Sequence, residues 1–267
     1  MIKFKKLLFW TVAFCVLFVS ALPVFGSAAS YSWYCKRTKD HTQPSVGGDI
    51  AFVSEYGGYS IDKNHGDGCE DKIVYLTFDA GYENGNVEKV LDSLKKQNVT
   101  GAFFVLGNLI EKNTKLINRM FDEGHLVCNH TYSHQCMVGK TQEDFCAELA
   151  RLENTCLEKT GKALSKYYRP PEGRFDENSL KYAQELGYKT VFWSFAYADW
   201  DNNKQMSCAT AKQKILDNIH NGAVLLLHPT SATNAAILED VIIELKSQGY
   251  RFGTLDELCT ETGEGIQ

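Results

Sequence analysis

The stretch IVYLTFDAGYENGNVEKVLDSLKKQN, residues 73–98, carries the pattern that decides the fold. Its first six residues, Ile73–Phe78, are all β-branched, aromatic or aliphatic, a composition typical of a buried strand. In residues 86–98 the apolar side chains recur at helical spacing, at Val87, Val90, Leu91 and Leu94. The stretch therefore predicts one βα unit, with Asp79 directly after the strand.

The same alternation continues towards the C-terminus. Further short apolar strands are predicted at residues 101–106, 126–128, 167–168, 190–193, 223–227 and 251–255, and helices near 112–123 and 142–160. About seven βα repeats in one α/β domain indicate either a (β/α) barrel or an open parallel sheet. The pattern does not choose between the two, but in both of them the loops after the strands form the site.

Residues 1–71 differ from the rest of the chain in composition and lack the strand–helix alternation. Residues 1–29 predict a secretory signal peptide, because three lysines precede the apolar run Leu7–Phe25 and small residues follow it. An uncleaved membrane anchor is the alternative, since this run is almost long enough to span a bilayer. Residues 30–71, rich in Gly, Asp, Ser and Tyr, predict a loop-like extension. We therefore expect a protein that is secreted or held at the cell surface or wall, with membrane contact only through its N-terminal segment.

Composition and charge are those of a soluble globular protein. The chain has 267 residues, of which 44% are hydrophobic and 23% charged, enough for one sizeable core. Its formal net charge is -5, and the predicted signal holds lysines but no acid, so the remainder is more acidic still. We therefore expect no nucleic-acid partner. The cysteines after the signal leave disulfides and free thiols as equal alternatives, because export permits pairing but no CxxC spacing occurs.

Ionisable side chains fall at the ends of several predicted strands. In chain order they are Asp79, His130, His134, Arg169, Asp199 and His228. For a single position the simpler interpretation is strong, because an Asp after a strand often caps a helix and an HxxxH pair often lies on the surface. Side chains that end neighbouring strands meet at one rim, however, so the whole set favours an active site.

The residue types in this set suggest a metal-assisted hydrolysis. His130 and His134 can converge on one cation if their segment turns helically, and neutral imidazole is a common zinc ligand. Such a metal polarises a carbonyl group and lowers the pKa of bound water. The Asp79 carboxylate is then the candidate general base and His228 the candidate general acid. Arg169 beside Asp79 would hold that carboxylate ionised.

The ordered motifs resemble those of the polysaccharide deacetylase family, the NodB-homology carbohydrate esterases of carbohydrate esterase family 4. They are TFDAGYENG at 77–85, HTYSH at 130–134, RPPEGRF at 169–175, ADW at 198–200 and LLLHP at 225–229. The match runs from about residue 73 to residue 258, and five motifs in the same order are highly specific. The resemblance implies a deformed (β/α) barrel of about seven strands over residues 72–260.

The resemblance also implies a role for each motif residue. In the family one aspartate acts as base, an arginine orients it, a histidine acts as acid, a second aspartate tunes the acid, and two histidines bind a divalent metal, often zinc. The implied catalytic set is Asp79, Arg169, Asp199 and His228, and the implied metal ligands are His130 and His134. Trp200 and Leu226 would wall the acetyl pocket. Glu172 and Tyr82 would contact the substrate, Glu172 through its backbone N–H as an oxyanion donor.

Two positions depart from the family pattern. Most members have a second Asp directly after the base, which completes the metal site, but here that position is Ala80. A third protein ligand would have to come from Glu83, Asn84 or Asn129, or else water would complete the site. The metal itself stays open among Zn, Co, Mn and Ni, because two imidazoles accept all of them. The second departure is Glu172, where the family usually has Tyr.

A TFDxGYEN segment without the second Asp is similar to one branch of the family, the δ-lactam-biosynthetic de-N-acetylases of bacterial spore cortex. That likeness implies metal-dependent hydrolysis of the N-acetyl group of N-acetylmuramic acid in peptidoglycan, a hydrolase reaction at a linear amide bond, on the way to muramic δ-lactam. One alternative is the same chemistry on another polysaccharide, namely chitin, the N-acetylglucosamine of peptidoglycan, or xylan. The other is a glycan-binding member without activity, which the missing Asp at Ala80 suggests.

Overall fold

The computed structural model describes residues 29–34, 38 and 40–260 of the chain. The strands are β1 Tyr31–Ser32, β2 Gly58–Tyr59, β3 Lys72–Ala80, β4 Ala102–Val105, β5 Leu126–Asn129, β6 Ser165–Tyr168, β7 Arg174–Phe175, β8 Lys189–Val191, β9 Ala223–Leu227 and β10 Tyr250–Phe252. The α-helices are α1 Val87–Lys96, α2 Gly107–Lys112, α3 Thr114–Asp122, α4 Gln142–Thr160, α5 Glu177–Glu185, α6 Cys208–Asp217, α7 Ala232–Ser247 and α8 Leu255–Leu258. The predicted signal peptide lies almost entirely outside the described residues. Within them, no helix has both the length and the apolar character that a bilayer crossing requires.

One eight-stranded sheet organises the molecule, in the order β10-β3-β4-β5-β6-β8-β2, with β9 pairing beside β3. All of its strand pairs are parallel. The sheet curls until β9 approaches the segment that follows β8, and Phe195 forms an isolated parallel bridge to Leu225. A second isolated bridge joins Ile61 to Ala223. The barrel is thus closed by single-residue bridges, which confirms the predicted deformed (β/α) barrel and makes the open sheet wrong.

The alternation of side chains along β3 divides the core into two layers. Val74, Leu76 and Phe78 belong to the outer cluster, which the helices cover. Ile73 and Tyr75 belong to a smaller cluster inside the barrel. On α1, the four apolar residues that predicted the helix are completely buried in the outer cluster, and each such burial is worth about 1.5–3 kcal/mol. This packing fixes where β3 ends, and therefore where Asp79 lies.

The N-terminal segment at 30–71, expected to be loop-like, contributes regular structure to the barrel. Residues Gly48–Tyr56 form a 3-10 helix, and β2 pairs with β8 in the main sheet. At the other end of the segment, β1 pairs antiparallel with β7. Strands of two residues are too short to produce a periodic pattern, which is why the sequence did not predict them. The described cysteines, Cys69, Cys128, Cys136, Cys146, Cys156, Cys208 and Cys259, are free thiols.

Candidate active site

A cavity of about 640 Å³ opens at the carboxyl ends of the barrel strands. Seven of the predicted site residues line it: Asp79, His130, His134, Glu172, Trp200, Leu226 and His228. Arg169 and Asp199 are buried behind the lining residues, each bonded to one of them. Tyr82 does not line the cavity, and its hydroxyl accepts a hydrogen bond from Asn202. A contact between Tyr82 and substrate therefore stays a prediction.

Asp79 lies near the end of β3 with its carboxylate held by Arg169. The Nη1 of Arg169 donates to Oδ1 of Asp79 over 2.7 Å, and the arginine side chain is fully buried. Burial alone would raise the pKa of Asp79, but the positive charge of Arg169, together with smaller contributions from the neighbouring histidines and the Arg169 hydrogen bond, brings the pKa below its usual value. The carboxylate is therefore ionised at neutral pH while its Oδ2 faces the cavity side.

Hydrogen bonds and an aromatic ring hold the guanidinium group of Arg169 in place. Its Nε donates to the Val191 carbonyl over 2.9 Å, and its Nη2 donates to Thr77 Oγ1 over 2.9 Å and to the Phe192 carbonyl over 3.2 Å. The guanidinium carbon also lies 4.1 Å from the ring centroid of Phe104. A buried arginine with its donors satisfied in this way keeps one geometry, and it fixes the orientation of the carboxylate with it.

The two histidines of the HTYSH motif are brought together by a turn and not by a helix. Thr131 and His134 both adopt left-handed backbone, with φ of 69° and 58°, a conformation that costs energy in non-glycine residues. Asn129 stabilises the turn, because its Oδ1 accepts from the Thr131 amide over 2.9 Å. The imidazole centroids of His130 and His134 end 5.0 Å apart. The expected proximity holds, but the helical route to it was wrong.

His130 is arranged as a neutral ligand. Its Nδ1 lies 2.8 Å from the carbonyl oxygen of Arg169, which only accepts, so Nδ1 carries the proton and Nε2 keeps its lone pair. Burial lowers the pKa of His130 to about 4, even though the Asp79 charge acts in the opposite direction. The Nε2 atom lies 3.4 Å from Oδ2 of Asp79. An imidazole in this state suits a divalent metal.

The protein supplies few other donors for that metal. Within the described residues, no group of three or more His, Cys, Asp or Glu side chains is arranged to hold an ion. Neither Ala80 nor the suggested substitutes Glu83, Asn84 and Asn129 lines the cavity. Asn129 is also fully engaged, since its amide nitrogen donates to the Leu149 carbonyl and to the Tyr188 hydroxyl. The residues present therefore fit a divalent cation held by two imidazoles, with its other positions left to water and substrate.

His228 faces the same cavity with its ring oriented by Asp199. The Nδ1 of His228 donates to Oδ1 of Asp199 over 2.7 Å, and its backbone amide donates to Oδ2 over 2.8 Å. The side-chain amide nitrogen of Asn234 also donates to Oδ2 of Asp199, and the side-chain Oδ1 of Asn234 accepts from the Tyr197 hydroxyl. Burial would lower the pKa of His228, but the hydrogen bond and charge of Asp199 raise it above its usual value. Asp199 thus favours the protonated form of His228.

The apolar part of the cavity comes mostly from the segment after β8. Trp193, Ala196, Tyr197 and Ala198 line it together with the buried Leu226. Trp200 also lines it, but its side chain is 64% exposed at the rim, so its place in an acetyl pocket stays a prediction. The sequence of this region is FWSFAYADW, residues 192–200, and its aromatic residues were the available signal for these further wall residues.

Glu172 lies in the 3-10 turn Pro171–Gly173 with left-handed backbone, at φ 58°. Its carboxylate points towards Arg174, at 4.0 Å, and both of these side chains are solvent-exposed. The turn itself forms one wall of the cavity, because Glu172 and Gly173 both line it. The turn that holds Glu172 is therefore beside the cavity, and the role of its backbone N–H as an oxyanion donor stays a prediction.

Comparisons with known proteins give a consistent result. The sequence pattern of the family described as polysaccharide deacetylase matches residues 67–191. The peptidoglycan-N-acetylmuramic acid deacetylase PdaA of Bacillus subtilis is 39% identical over 256 residues, which cover 92% of this chain and 95% of the relative. A peptidoglycan-N-acetylglucosamine deacetylase of Bacillus cereus is 35% identical over 195 residues, 72% of this chain and 70% of the relative. The structure of Bacillus subtilis PdaA, a family 4 carbohydrate esterase, matches with a TM-score of 0.80 at 40% identity, covering 86% of this chain and 96% of that one.

Proposed function

Because this chain belongs to the polysaccharide deacetylase family, carbohydrate esterase family 4, and is a carbohydrate deacetylase, we propose that it removes the N-acetyl group of N-acetylmuramic acid in peptidoglycan. One observation carries the proposal. An ionised Asp79 and a histidine with raised pKa, His228, line the same cavity, as the base and the acid of an amide hydrolysis require. The likeness to the N-acetylmuramic acid deacetylase over 92% of the chain supports the choice of sugar.

The proposed reaction consumes one water molecule. Asp79 takes a proton from the water while the water oxygen bonds to the acetyl carbon. The backbone N–H of Glu172 stabilises the resulting oxyanion. The bond between carbon and nitrogen then breaks as the Nε2 proton of His228 passes to the leaving amine. Acetate and a free amino sugar result. Arg169 keeps the base ionised and oriented, and Asp199 favours the protonated acid and holds its ring with Nε2 towards the cavity.

His130 and His134 would hold the divalent metal of the proposed reaction, through imidazole nitrogens. When bound, such a cation supplies Lewis-acid polarisation of the amide carbonyl and a lower pKa for bound water. The chain contributes the tautomer of His130, fixed by the Arg169 carbonyl. Zinc is the metal we propose, with cobalt, manganese and nickel as alternatives, since imidazole ligands accept all of them.

A peptidoglycan substrate also suggests where the protein acts. We assign the protein to the cell surface or wall, exported by residues 1–29, with residues 72–260 as the deacetylase domain and 30–71 as an extension. A muramic acid without its peptide has a free lactyl carboxyl beside the amine that deacetylation releases. Closure of the two into a lactam would place the enzyme in the making of spore cortex.

Acetate release from defined polymers tests the proposal. Purified protein is incubated with amidase-treated peptidoglycan, whose muramic acids lack peptide, and in parallel with intact peptidoglycan, chitin oligomers and acetylated xylan. We expect the fastest release from the amidase-treated material. A faster release from chitin oligomers or xylan would make the substrate wrong and leave the chemistry intact. Retention of glycan without acetate release, at any added metal, would instead identify a binding protein without activity.

A further inference from the structure

We propose that Trp33 is a positioning residue for the cavity wall that carries Glu172, Gly173 and Trp193. The inference rests on the proposed function in so far as this cavity is the active site. Trp33 lies in the N-terminal segment, far from every motif of the family in sequence, and it is 7% exposed. It would act on the reaction through the wall that it holds and not by touching the substrate.

Two hydrogen bonds join Trp33 to cavity-lining residues. Its backbone amide donates to the carbonyl of Gly173 over 2.7 Å. Its indole Nε1 donates to the carbonyl of Trp193 over 2.9 Å. Both acceptors belong to residues that line the cavity, and they lie in different loops, one after β6 and one after β8. A single residue thus links the two loops that form this wall, through its backbone to one loop and through its side chain to the other.

Packing leaves this wall little freedom to move. The Trp33 ring stacks on Phe192, with centroids 4.2 Å apart and an interplanar angle of 20°. Gly173 adopts φ of 64°, and a Cβ there would come within 2.7 Å of the Trp193 ring and 3.1 Å of the Trp33 Cβ. Only glycine fits between the two tryptophans. A shift of Trp33 would therefore be passed directly to the turn at Gly173.

The strand before Trp33 holds the other side of the same turn. In the β1–β7 pair, Tyr31 lies opposite Phe175 and Ser32 opposite Arg174. The Tyr31 and Phe175 rings also stack, with centroids 5.6 Å apart. Residues 31–33 consequently brace the chain from Gly173 to Phe175, immediately after Glu172, whose amide is the oxyanion donor of the proposed reaction.

This arrangement predicts an effect on turnover more than on substrate binding. An oxyanion donor acts mainly in the transition state, so a misplaced Glu172 amide lowers kcat and leaves KM nearly unchanged. Asp79 bonds directly to Arg169 and His228 bonds directly to Asp199, and neither hydrogen bond of Trp33 reaches these four residues. The pH values at which activity rises and falls should therefore stay where they are.

Two substitutions and one control test the inference. Trp33→Phe keeps an aromatic ring beside Phe192 but removes the indole N–H and part of the ring surface, whereas Trp33→Ala removes the whole ring. Tyr34→Ala, at a neighbouring side chain that is 62% exposed, is the matched control. We expect kcat on amidase-treated peptidoglycan to fall about tenfold in Trp33→Ala and by less in Trp33→Phe, with KM within about twofold. Hydrogen exchange at residues 171–175 should become faster in both, and the control should behave like wild type.

The inference is overturned if Trp33→Phe and Trp33→Ala match the control in kcat and in exchange at 171–175. It is overturned equally if exchange rises by the same factor throughout the barrel, since Trp33 would then support only global stability. Should Trp33→Ala fail to fold, Trp33→Phe decides alone. A wild type that releases no acetate from any polymer contradicts the proposed function, while faster exchange confined to 171–175 would still support the role of Trp33 in holding the turn.

Discussion

Asp62, which is buried, and Asp79, which is mostly buried, lie near opposite ends of β3 with similar polar neighbours but have different roles. Asp79 at the carboxyl end is paired with Arg169 and lies close to His130. Asp62 lies where β3 and β9 begin, since its backbone amide donates to the carbonyl of Gly222, the residue before β9. Both carboxylates are thus withdrawn from solvent and surrounded by polar side chains, as catalytic groups often are.

The carboxylate oxygens of Asp62 are used up by the protein itself. Its Oδ2 accepts from the Tyr75 hydroxyl over 2.5 Å and lies 2.7 Å from Nδ1 of His65, while its Oδ1 accepts from two backbone amides. The other nitrogen of His65 lies 3.2 Å from Asp71, which in turn pairs with Arg251. Burial and the Asp62 hydrogen bond raise the pKa of Tyr75, so it stays a donor.

The difference shows that buried ionisable groups mark a site only when some of their polar atoms face open space. In the Asp62 region both nitrogens of His65 bond to carboxylates within the fold. In the Asp79 region Nε2 of His130 and Oδ2 of Asp79 lie together at the cavity. Polar residues at strand carboxyl ends serve chemistry, whereas those at the opposite end serve stability.

Metal removal should give the largest difference in behaviour between the Asp79 region and the Asp62 region. We expect dialysis against a chelator to lower kcat at least about a hundredfold, because Lewis-acid assistance is worth several kcal/mol. Added Zn²⁺ should restore it. His134→Ala should weaken metal binding, whereas His65→Ala should leave the metal content unchanged, since both of its nitrogens are already bonded. Full activity of the metal-free protein, or equal metal loss in both variants, would contradict this distinction.

Asp199→Asn should have the next largest effect and should change the pH dependence. His228 must be protonated to act as acid, and Asp199 raises its pKa, so activity falls as pH rises through that pKa. Loss of the charge lowers this pKa, and the alkaline fall should therefore move to lower pH, with kcat reduced on the order of tenfold to a hundredfold. A kcat profile against pH measures both, with Asp201→Asn as the nearby control. An unmoved alkaline fall would remove His228 from the role of acid.

Asp62→Asn should affect stability and hardly touch activity. The amide keeps one acceptor oxygen but presents its NH₂ group towards donors, which leaves Tyr75 or His65 without a full partner. We expect the free energy of unfolding in urea to fall by about 1–3 kcal/mol and kcat to stay within about twofold. A loss of turnover as large as that of Asp199→Asn would erase the contrast between the two regions.

Much of the barrel was predictable because most of its strands are apolar runs, of which β3 is the longest, and helical patterns follow several of them. The run at 73–78 and the spacing in 86–98 located β3 and α1, and strand ends then gave the ionisable residues. What the sequence could not give depends on backbone shape and on distant contacts. Of the two left-handed residues, Thr131 is β-branched and disfavours that conformation, and no glycine occurs at either position, so no local signal predicted the turn.

The Asp62 network and the Trp33 brace were missed for a related reason. Asp62 and Tyr75, like Trp33 and Gly173, meet only after the chain has folded. Their segments contain two-residue strands without periodicity. The exposure of Trp200 and the absence of Tyr82 from the residues that line the cavity likewise depend on loop geometry. A likeness between motifs does not specify that geometry.

The most direct test of the central claim is the turnover of Asp79→Asn beside Asp62→Asn on amidase-treated peptidoglycan, with both variants confirmed as folded. Asparagine keeps the shape at residue 79 and loses the basic oxygen. We predict that Asp79→Asn releases acetate about a thousandfold more slowly than wild type, while Asp62→Asn stays near the wild-type rate. Undiminished release by Asp79→Asn would contradict the assignment of the cavity as the catalytic centre.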